Sequence, residues 1–226
     1  MHRNFLLQDS KRLLTGGHEK LLRIFDLMAP NAPPSLLEGS PGPIRTSHWL
    51  HNDTLLLVAC NDTPGVSIWD LRTKKVVATL DTGGDAVGDV QPCGRLLVAA
   101  AGKTVRTWDA TTFVPIGVHA LDFPVYTAAA SPAKGRFVAA GADMWPRLFE
   151  LATGAELECN KGHHGPVHAV RFHRAYLGSS VSYPDPFLGF RRIASGESYA
   201  SGSEDGTIRL WSSTTAAEAA AAATSS

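Results

Sequence analysis

The stretch GESYASGSEDGTIRLW, residues 196–211, decides the fold. It reads as a strand of small residues, an acidic tight turn, and a second strand that closes on Trp211. The same order of residue types recurs upstream in RLLTGG-HEK-LLRIFDL, LLLVAC-NDTPG-VSIWDL, LLVAAA-GK-TVRTWDA and RFVAAG-ADMW-PRLFEL. A repeat of about 40 to 45 residues with Trp-Asp endings is the signature of four-stranded propeller blades.

The spacing of the closing aromatic residues supports this interpretation and reveals one interruption. The first four follow at intervals of about forty residues: Phe25, Trp69, Trp108 and Phe149. The interval from Phe149 to Trp211 is about twenty residues longer. An insertion at 174–195 accounts for the excess, between an inner strand ending at Phe172 and a strand beginning near Ser198. Two origins stay open, a long loop or translated non-coding sequence.

The repeats predict one all-β domain over residues 1–212, with about five blade units. The connecting segments GSPGPIRTSHWL, GDAVGDV, FPVYTAAA and GHHGPVHAVRF each end in an alternating strand, which we expect to be the innermost strand of the following blade. One four-stranded unit cannot bury both of its faces, so we expect adjacent blades to pack face to face. The tail at 213–226 is rich in Ala, Ser and Thr, has no apolar face, and is expected to be disordered.

Composition narrows the class of protein. Lysine plus arginine and aspartate plus glutamate both number 21, so no long-range field favours nucleic acid or an anionic membrane. The three cysteines are far apart, which is unlike a disulfide framework or a zinc cluster. MHRNFLLQDSKRLL lacks the apolar core of a signal peptide, and no stretch is long enough to be a membrane span. We expect a soluble intracellular protein without cofactor or metal.

Four longer phrases carry a family resemblance: DSKRLLTGGHEKLLRIFDL (9–27), ADMWPRLFELATG (142–154), NKGHHGPVHAVRF (160–172) and GESYASGSEDGTIRLW (196–211). In combination they resemble the serine/threonine kinase receptor-associated protein family of WD40 scaffolds. Subunit i of translation initiation factor three is similar more distantly. The resemblance covers nearly everything outside the insertion and the tail.

The resemblance implies a seven-bladed WD40 β-propeller without enzymatic activity, working in the cytoplasm and nucleus. Family members associate with the survival-of-motor-neuron complex that assembles spliceosomal ribonucleoproteins, bind an RNA-binding translation regulator, and in animals join receptor signalling. The family's first blades have no counterpart here, so we expect an N-terminally truncated, incomplete or open propeller. Open blade edges predict lower stability and a tendency to associate.

One constellation in the last repeat looks catalytic but fits a structural role. His163, Ser201, Asp205 and Trp211 occupy the positions at which WD40 blades place a buried hydrogen-bond chain from indole through hydroxyl and imidazole to carboxylate. A buried indole needs a partner, and such a chain makes a blade rigid. A catalytic triad requires an exposed nucleophile and oxyanion donors, which nothing in the sequence supplies. The other repeats hold only fragments of the set: Thr15 and Glu19 before Phe25, and Asp62 before Trp69.

The densest run of histidines comprises His163, His164, His168 and His173. Its spacing matches no zincin helix, and no cysteine or carboxylate lies at ligand spacing. We therefore predict no metal site. His164 and His168 are interpreted as loop or channel-facing residues that contact a partner.

Trp145 and a set of arginines are further candidates for partner binding. Trp145 lies in a turn beside Pro146, where it is either an interface anchor or packs against the adjacent blade. Arginine recurs two residues before the closing aromatic: Arg23, Arg106, Arg147 and Arg209. These residues either line a wall that receives an acidic partner or RNA, or lie on solvated strand faces, which the zero net charge favours.

The sequence contains no P-loop, no G-x-G-x-x-G after a strand, no G-x-S-x-G elbow and no kinase signature. Together with the resemblance, this predicts a scaffold for protein partners in ribonucleoprotein assembly, mRNA processing and splicing, with RNA contacted only indirectly. A translation initiation factor subunit of the same fold is the first rival, and a propeller hydrolase is the second.

Overall fold

The computed structural model describes residues 3–6, 11–50, 54–61, 63–173 and 198–214. These residues form five antiparallel sheets, and the helical part of the described chain is a single 3-10 turn at Pro132–Lys134. In every sheet, strands that are consecutive in sequence are neighbours, which is the up-and-down order of a propeller blade. The predicted fold class, an all-β protein of WD40 propeller blades, is confirmed.

Four of the five sheets have four strands, and the fifth has three among the described residues. The first sheet contains β1 (Arg3–Leu6), β2 (Arg12–Gly16), β3 (Leu22–Asp26) and β4 (Ser35–Leu37). The second contains β5 (Ile44–Leu50), β6 (Leu55–Cys60), β7 (Val66–Asp70) and β8 (Lys75–Leu80). The third contains β9 (Val87–Cys93), β10 (Leu96–Ala101), β11 (Thr104–Asp109) and β12 (Pro115–Ala120). The fourth contains β13 (Val125–Ser131), β14 (Arg136–Gly141), β15 (Arg147–Glu150) and β16 (Glu156–Cys159). The fifth contains β17 (Val167–Phe172), β18 (Ser198–Ser203) and β19 (Ile208–Ser212).

The chain divides into two compact units, residues 1–128 and 129–226. The boundary falls inside β13. The first unit holds the first three sheets, and the second holds the fifth sheet and most of the fourth. Each predicted innermost strand is present as the first strand of its sheet, namely β5, β9, β13 and β17.

Strand β6 of the first unit explains why a continuous apolar run lies at the centre of a blade. Its sequence LLLVAC is buried along almost its whole length. Leu56 and Val58 pack in a cluster with residues of the first sheet, whereas Leu57 and Ala59 pack in a cluster with residues of the third. Because side chains alternate between the faces of a strand, successive residues serve different neighbouring sheets. The prediction of face-to-face packing is confirmed here.

A buried polar link joins the inner strands β9 and β13 in the first unit. Asp89 Oδ2 accepts hydrogen bonds from Thr127 Oγ1 at 2.8 Å and from Gln91 Nε2 at 3.0 Å. The strands are so close that a Cβ on Gly88 would lie 2.6 Å from the Tyr126 carbonyl oxygen. Glycine at this position therefore permits the two backbones to approach.

The second unit has its own core, built from the fourth and fifth sheets. Its buried cluster comprises Ala129, Val138, Ala140, Leu148, Val167, Val170 and Tyr199. Phe172 and Trp211 pack against this cluster while remaining partly exposed. Leu148 on β15 thus packs in a core that the fourth and fifth sheets share.

The aspartate that follows the closing aromatic residue holds the next turn. Asp70 Oδ1 accepts from the backbone N–H of Arg72 at 2.7 Å, and Asp109 Oδ1 accepts from that of Thr111 at 2.8 Å. Asp26 Oδ1 accepts in the same way from Met28 at 2.9 Å. These are Asx turns, so the Trp-Asp ending combines a packed ring with a local turn cap.

The insertion predicted at 174–195 lies outside the described residues, as do Asp62 and residues 215–226 of the predicted tail. Strand β17 ends at Phe172 and β18 begins at Ser198, at the two ends expected for the insertion. Ser213, assigned to the tail, is buried, and its carbonyl accepts a hydrogen bond from the Arg136 guanidinium. Among the described residues, no helix has the length and apolar composition that spanning a lipid bilayer requires.

Candidate functional site

The structure brings together the four residues of the last repeat that sequence analysis grouped. His163 lies in the connection before β17, Ser201 on β18, Asp205 in the turn after β18, and Trp211 on β19. Trp211 Nε1 donates to Ser201 Oγ at 2.7 Å, and Ser201 Oγ lies 2.7 Å from His163 Nε2. His163 Nδ1 lies 3.0 Å from Asp205 Oδ2. The four side chains therefore form one continuous hydrogen-bond chain.

The direction of this chain follows from the carboxylate at its end. The backbone N–H of His164 and the hydroxyl of Thr207, at 2.9 and 2.7 Å from the Asp205 oxygens, hold the pKa of that carboxyl well below its usual range. An ionised carboxylate only accepts, so His163 Nδ1 carries the proton and donates to Asp205. His163 Nε2 then accepts from the Ser201 hydroxyl, whose oxygen accepts from the indole.

Access to Ser201 separates this arrangement from a working triad. The distances from serine to histidine to aspartate are those of a nucleophile, a base and an orienting acid. However, Ser201 is only 1% exposed and its oxygen already accepts the indole N–H. A nucleophile must reach its substrate, and this hydroxyl is buried at the edge of the Trp211 ring. The hydrogen-bond chain instead links the loop before β17, the strands β18 and β19, and the turn between those strands.

Glycine at position 162 lets the connection before β17 lie against the closing ring. A Cβ there would come within 3.0 Å of Trp211 Cη2 and 3.1 Å of Arg209 Nη1. Substitution would therefore push the loop that carries His163 away from the indole. The sequence predicted the chain, but this second requirement became evident only from the packing.

The remaining histidines of the run are exposed. His164 uses its backbone N–H to bind Asp205, which leaves its ring at the surface. His168, with 48% of its side chain exposed, places Nε2 3.4 Å from Glu204 Oε2. In the described part of the chain, no group of three His, Cys, Asp or Glu side chains is arranged to hold a metal ion. Partner contact by His164 and His168 stays a prediction.

Trp145 is half-buried in the turn between β14 and β15. The ammonium group of Lys161 lies 4.7 Å from the centre of its ring, within the range of a cation–π contact. Lys161 belongs to the same connection as His163, so the Trp145 turn and the loop of the hydrogen-bond chain are neighbours. A role of Trp145 as an anchor for a partner stays a prediction.

Arg147 has its charge partners in its own sheet. Its Nη2 lies 2.6 Å from Asp143 Oδ2, and its Nε lies 3.7 Å from Glu156 Oε2. Only 14% of the side chain is exposed. Arg209 differs, because its Nε is buried and has no hydrogen-bond partner among the described residues. Of the two arginines, Arg209 has more capacity for a partner.

One polar contact in this region was not predicted from the sequence. Asn160 Nδ2 donates to the Tyr199 hydroxyl oxygen at 2.6 Å, and Tyr199 is 1% exposed. Burial raises the pKa of Tyr199 well above its usual value, so the phenol stays neutral. Asparagine at the start of the conspicuous NKGHHG segment was the available signal, because a loop amide beside a buried strand commonly finds a partner.

The comparison with protein families matches residues 192–212 to the WD domain, G-beta repeat. This match falls on the repeat that holds Ser201, Asp205 and Trp211. Together with the five blade sheets, it decides the class of repeat. The chain contains a WD40 repeat at residues 192–212.

The curated relatives that this chain matches include proteins named serine-threonine kinase receptor-associated protein. The one from Dictyostelium discoideum is 40% identical over 204 residues, which are 90% of this chain and 62% of the relative. The one from Gallus gallus is 38% identical over 208 residues, which are 92% of this chain and 53% of the relative. The resemblance stated from the four phrases is thereby confirmed. The chain spans little more than half the length of these relatives.

A second group of relatives is less similar. The eukaryotic translation initiation factor 3 subunit I of Culex quinquefasciatus is 27% identical over 171 residues, which are 68% of this chain and 46% of that protein. Both the identity and the share of this chain covered are lower than for the receptor-associated proteins. The distant likeness to this subunit was also predicted from the sequence.

Proposed function

We infer that this WD40 chain is a non-enzymatic scaffold that holds protein partners in the assembly of spliceosomal ribonucleoproteins by the survival-of-motor-neuron complex, and so in mRNA processing and splicing. The observation that carries this proposal is the 40% identity over 90% of the chain to a protein named as a receptor-associated protein. Blade sheets with exposed turns also fit a protein-interaction role. Such an assembly works in the cytoplasm and nucleus, with RNA contacted through the partners.

The mechanism is positioning. Sheets whose cores are shared with their neighbours hold their connecting turns at fixed spacing, so two partners bound to different turns gain effective concentration. Trp145, His164, His168 and Arg209 are the proposed contacts of the second unit, because each offers an aromatic ring, an exposed imidazole or a guanidinium without an acidic partner. Arg147 is a lesser contact, because Asp143 and Glu156 already neutralise it.

The relatives' name suggests a second partner class, the serine-threonine kinase receptors, and the lower-identity relatives suggest a translation initiation complex. Co-sedimentation with the small ribosomal subunit distinguishes the initiation role. A propeller hydrolase is the candidate from another class. It predicts turnover that is lost on replacing His163 while the fold survives, whereas the scaffold proposal predicts that this replacement lowers stability.

The test is affinity capture of the tagged chain from cytoplasmic and nuclear extracts, followed by mass spectrometry. Proteins of spliceosomal core assembly are expected to be recovered with the wild-type chain and to be reduced with Trp145→Ala. Met28→Ala is the matched control, because Met28 is a 74% exposed apolar side chain in the first unit. Recovery of initiation factors alone, or of no assembly proteins, would contradict the proposal.

A further inference from the structure

Arginine two residues before the closing aromatic has an acidic partner in some sheets and none in others. In the first sheet Arg23 pairs with Glu19, and in the fourth Arg147 pairs with Asp143, each four residues earlier in the turn. Both pairs keep the charge within a single sheet. An arginine that lacks an acid four residues earlier cannot form this ion pair within its own sheet. Its guanidinium can therefore bind another group.

Arg106 of the third sheet has no such acid. Four residues earlier the chain has Gly102, whose φ of +57° favours glycine. A side chain there would also meet the Asp85 carboxylate, since a Cβ would lie 2.5 Å from Asp85 Oδ2. Within the described chain, Arg106 makes no ion pair or side-chain hydrogen bond, and its Nε is buried. The guanidinium lies beside the backbone of Gly83.

Arg209 of the fifth sheet is unpaired for a different reason. Four residues earlier lies Asp205, but that carboxylate accepts from His164, Thr207 and His163. Because Asp205 accepts these hydrogen bonds, it does not form an ion pair with Arg209. Two of the four arginines therefore have no acidic partner among the described residues, and Arg106 also lines a cavity.

The cavity beside Arg106 has a volume of about 280 Å³ and lies between the end of β8 and the strands β11 and β12. Leu80, Trp108, Phe113 and Val118 give it apolar walls. Asp81 also lines it, but one of its oxygens accepts from the Gly83 N–H at 2.8 Å. A carboxylate that lines the same cavity as Arg106 disfavours a ligand with many anionic groups, such as RNA, more than a ligand with a single carboxylate.

Strand β12, at the rim of this cavity, is an unprotected edge. Its sequence PIGVHA contains no Asp, Glu, Lys or Arg, and its residues Ile116 and Val118 are 59% and 54% exposed. The other long outer strands are charged: β8 begins with Lys75, and β16 carries two glutamates. Charges on an edge strand normally prevent another strand from adding to it. β12 lacks this protection and lies next to the unpaired guanidinium.

We propose that β12 and the Arg106 cavity bind an extended peptide segment of a protein partner, in which an aspartate or glutamate stands beside β-branched residues. The segment adds to the third sheet through main-chain hydrogen bonds with β12. Its carboxylate pairs with the Arg106 guanidinium, and its apolar side chains cover Val118 and Phe113. This site deepens the proposed scaffold function, on which it rests, by naming the chemistry of one partner.

The probe is a display library of random peptides about twelve residues long, panned on the purified chain. The selected peptides are expected to combine Asp or Glu with Val, Ile or Thr. A fluorescent synthetic peptide of the selected sequence is then titrated by anisotropy. Arg106→Gln is expected to weaken binding about tenfold or more, because a charged hydrogen-bonded pair is lost. Ile116→Lys is expected to weaken peptide binding by a similar factor, because a charged side chain on β12 opposes the addition of another strand.

Matched controls exist in the other sheets. Arg23→Gln removes the equivalent arginine where it has its own acid, and Val77→Lys charges a 53% exposed valine on β8. Both are expected to leave binding unchanged. Asp81→Asn is expected to tighten binding, because the amide oxygen still accepts from Gly83 while the nearby negative charge is gone. Circular dichroism and the melting temperature verify that each variant is folded.

Three results would overturn the site: no peptide is enriched, the enriched peptides lack acidic residues, or Arg106→Gln binds them as well as the wild type does. Competition by a single-stranded RNA oligonucleotide with loss of the peptide signal would instead assign the cavity to nucleic acid. The peptide test uses only the purified chain. Its failure therefore leaves the capture of assembly proteins from extracts untouched, and the two failures are distinguishable.

Discussion

The second and fifth sheets close on the same residue type with opposite chemistry. Trp69 is 3% exposed in an apolar cluster, and its indole Nε1 has no hydrogen-bond partner among the described residues. Trp211 is half-buried, and its Nε1 donates to Ser201. In the fifth sheet, Ser201 pairs with the residue two positions before the tryptophan. The equivalent residue of the second sheet is Val58. The closing tryptophan of a blade is thus held either by apolar packing alone or by a chain of hydrogen bonds.

The difference follows from what surrounds each sheet. Ile68 on β7 is fully buried, so the second sheet gains stability from apolar contacts on both faces. Leu210, at the equivalent position on β19, is 60% exposed. With less apolar area buried around it, the fifth sheet depends more on hydrogen bonds that tie its loop, strands and turn together.

The largest expected effect on stability comes from truncating a buried apolar side chain of the second sheet. Ile68→Ala is expected to lower the free energy of unfolding by about 2 to 5 kcal/mol, because it leaves a cavity in a closed core. Leu210→Ala, its counterpart in the fifth sheet, is expected to cost less than about 0.5 kcal/mol. Chemical denaturation measures both. Equal losses would show that the Leu210 face is covered in solution and would break the comparison.

Removing the central hydroxyl tests the polar side. Ser201→Ala deprives both the Trp211 indole and His163 Nε2 of a buried partner, so the free energy of unfolding is expected to fall by about 1 to 3 kcal/mol. Ser198→Ala, three residues earlier on the same strand, is the control and is expected to have little effect. If the two variants unfold alike, the hydrogen-bond chain does not stabilise the fifth sheet.

The pH dependence of stability sharpens the role of Asp205. Its pKa in the folded chain lies below the unfolded value of about 3.9, since the His164 N–H and the Thr207 hydroxyl favour the ionised form. The carboxylate therefore contributes stability above about pH 4, and this contribution is lost as the pH falls toward the folded pKa. The melting temperature of wild type minus that of Asp205→Asn should be large at neutral pH and should shrink below pH about 4. A difference that stays constant across this range would exclude the carboxylate as the source.

The smallest expected effect compares a paired arginine with an unpaired one. Arg147→Gln breaks ion pairs with Asp143 and Glu156 and is expected to cost about 1 kcal/mol. Arg106→Gln breaks none and is expected to stay within about 0.5 kcal/mol of the wild type. Thermal unfolding at low and moderate salt separates the two, because only the Arg147 contribution should weaken with salt. A larger loss at Arg106 would show that the guanidinium already has a partner.

The inner three strands of the second to fifth blades were predicted from the sequence, whereas the outer strands and β1 of the first sheet were not. Runs such as LLLVAC and LLVAAA are buried on both faces and therefore read clearly as strands. The outer strands β8, β12 and β16 are exposed over much of their length, so KVVATL, PIGVHA and ELEC show no clean alternation. Their pairing is decided by the strand beside them, which a single stretch of sequence does not contain.

In the candidate site, the residues were predicted better than their surroundings. The positions of His163, Ser201 and Trp211 within the repeat were enough to group them. The Lys161 contact with Trp145 joins two separate connections, and no spacing in the sequence announces it. Position 102, four residues before Arg106, is a glycine in the left-handed conformation, and that conformation is a property of the folded backbone.

The structural role of the serine, histidine and aspartate of the fifth sheet is to hold the blade together, which agrees with the proposed scaffold function. Its most direct test is treatment of the folded wild-type chain with a fluorophosphonate probe, followed by peptide mass spectrometry of Ser201. Because Ser201 is 1% exposed and hydrogen-bonded to Trp211, no labelling is expected until the chain unfolds. Rapid labelling of Ser201 in the folded chain would identify a reactive nucleophile and contradict the account.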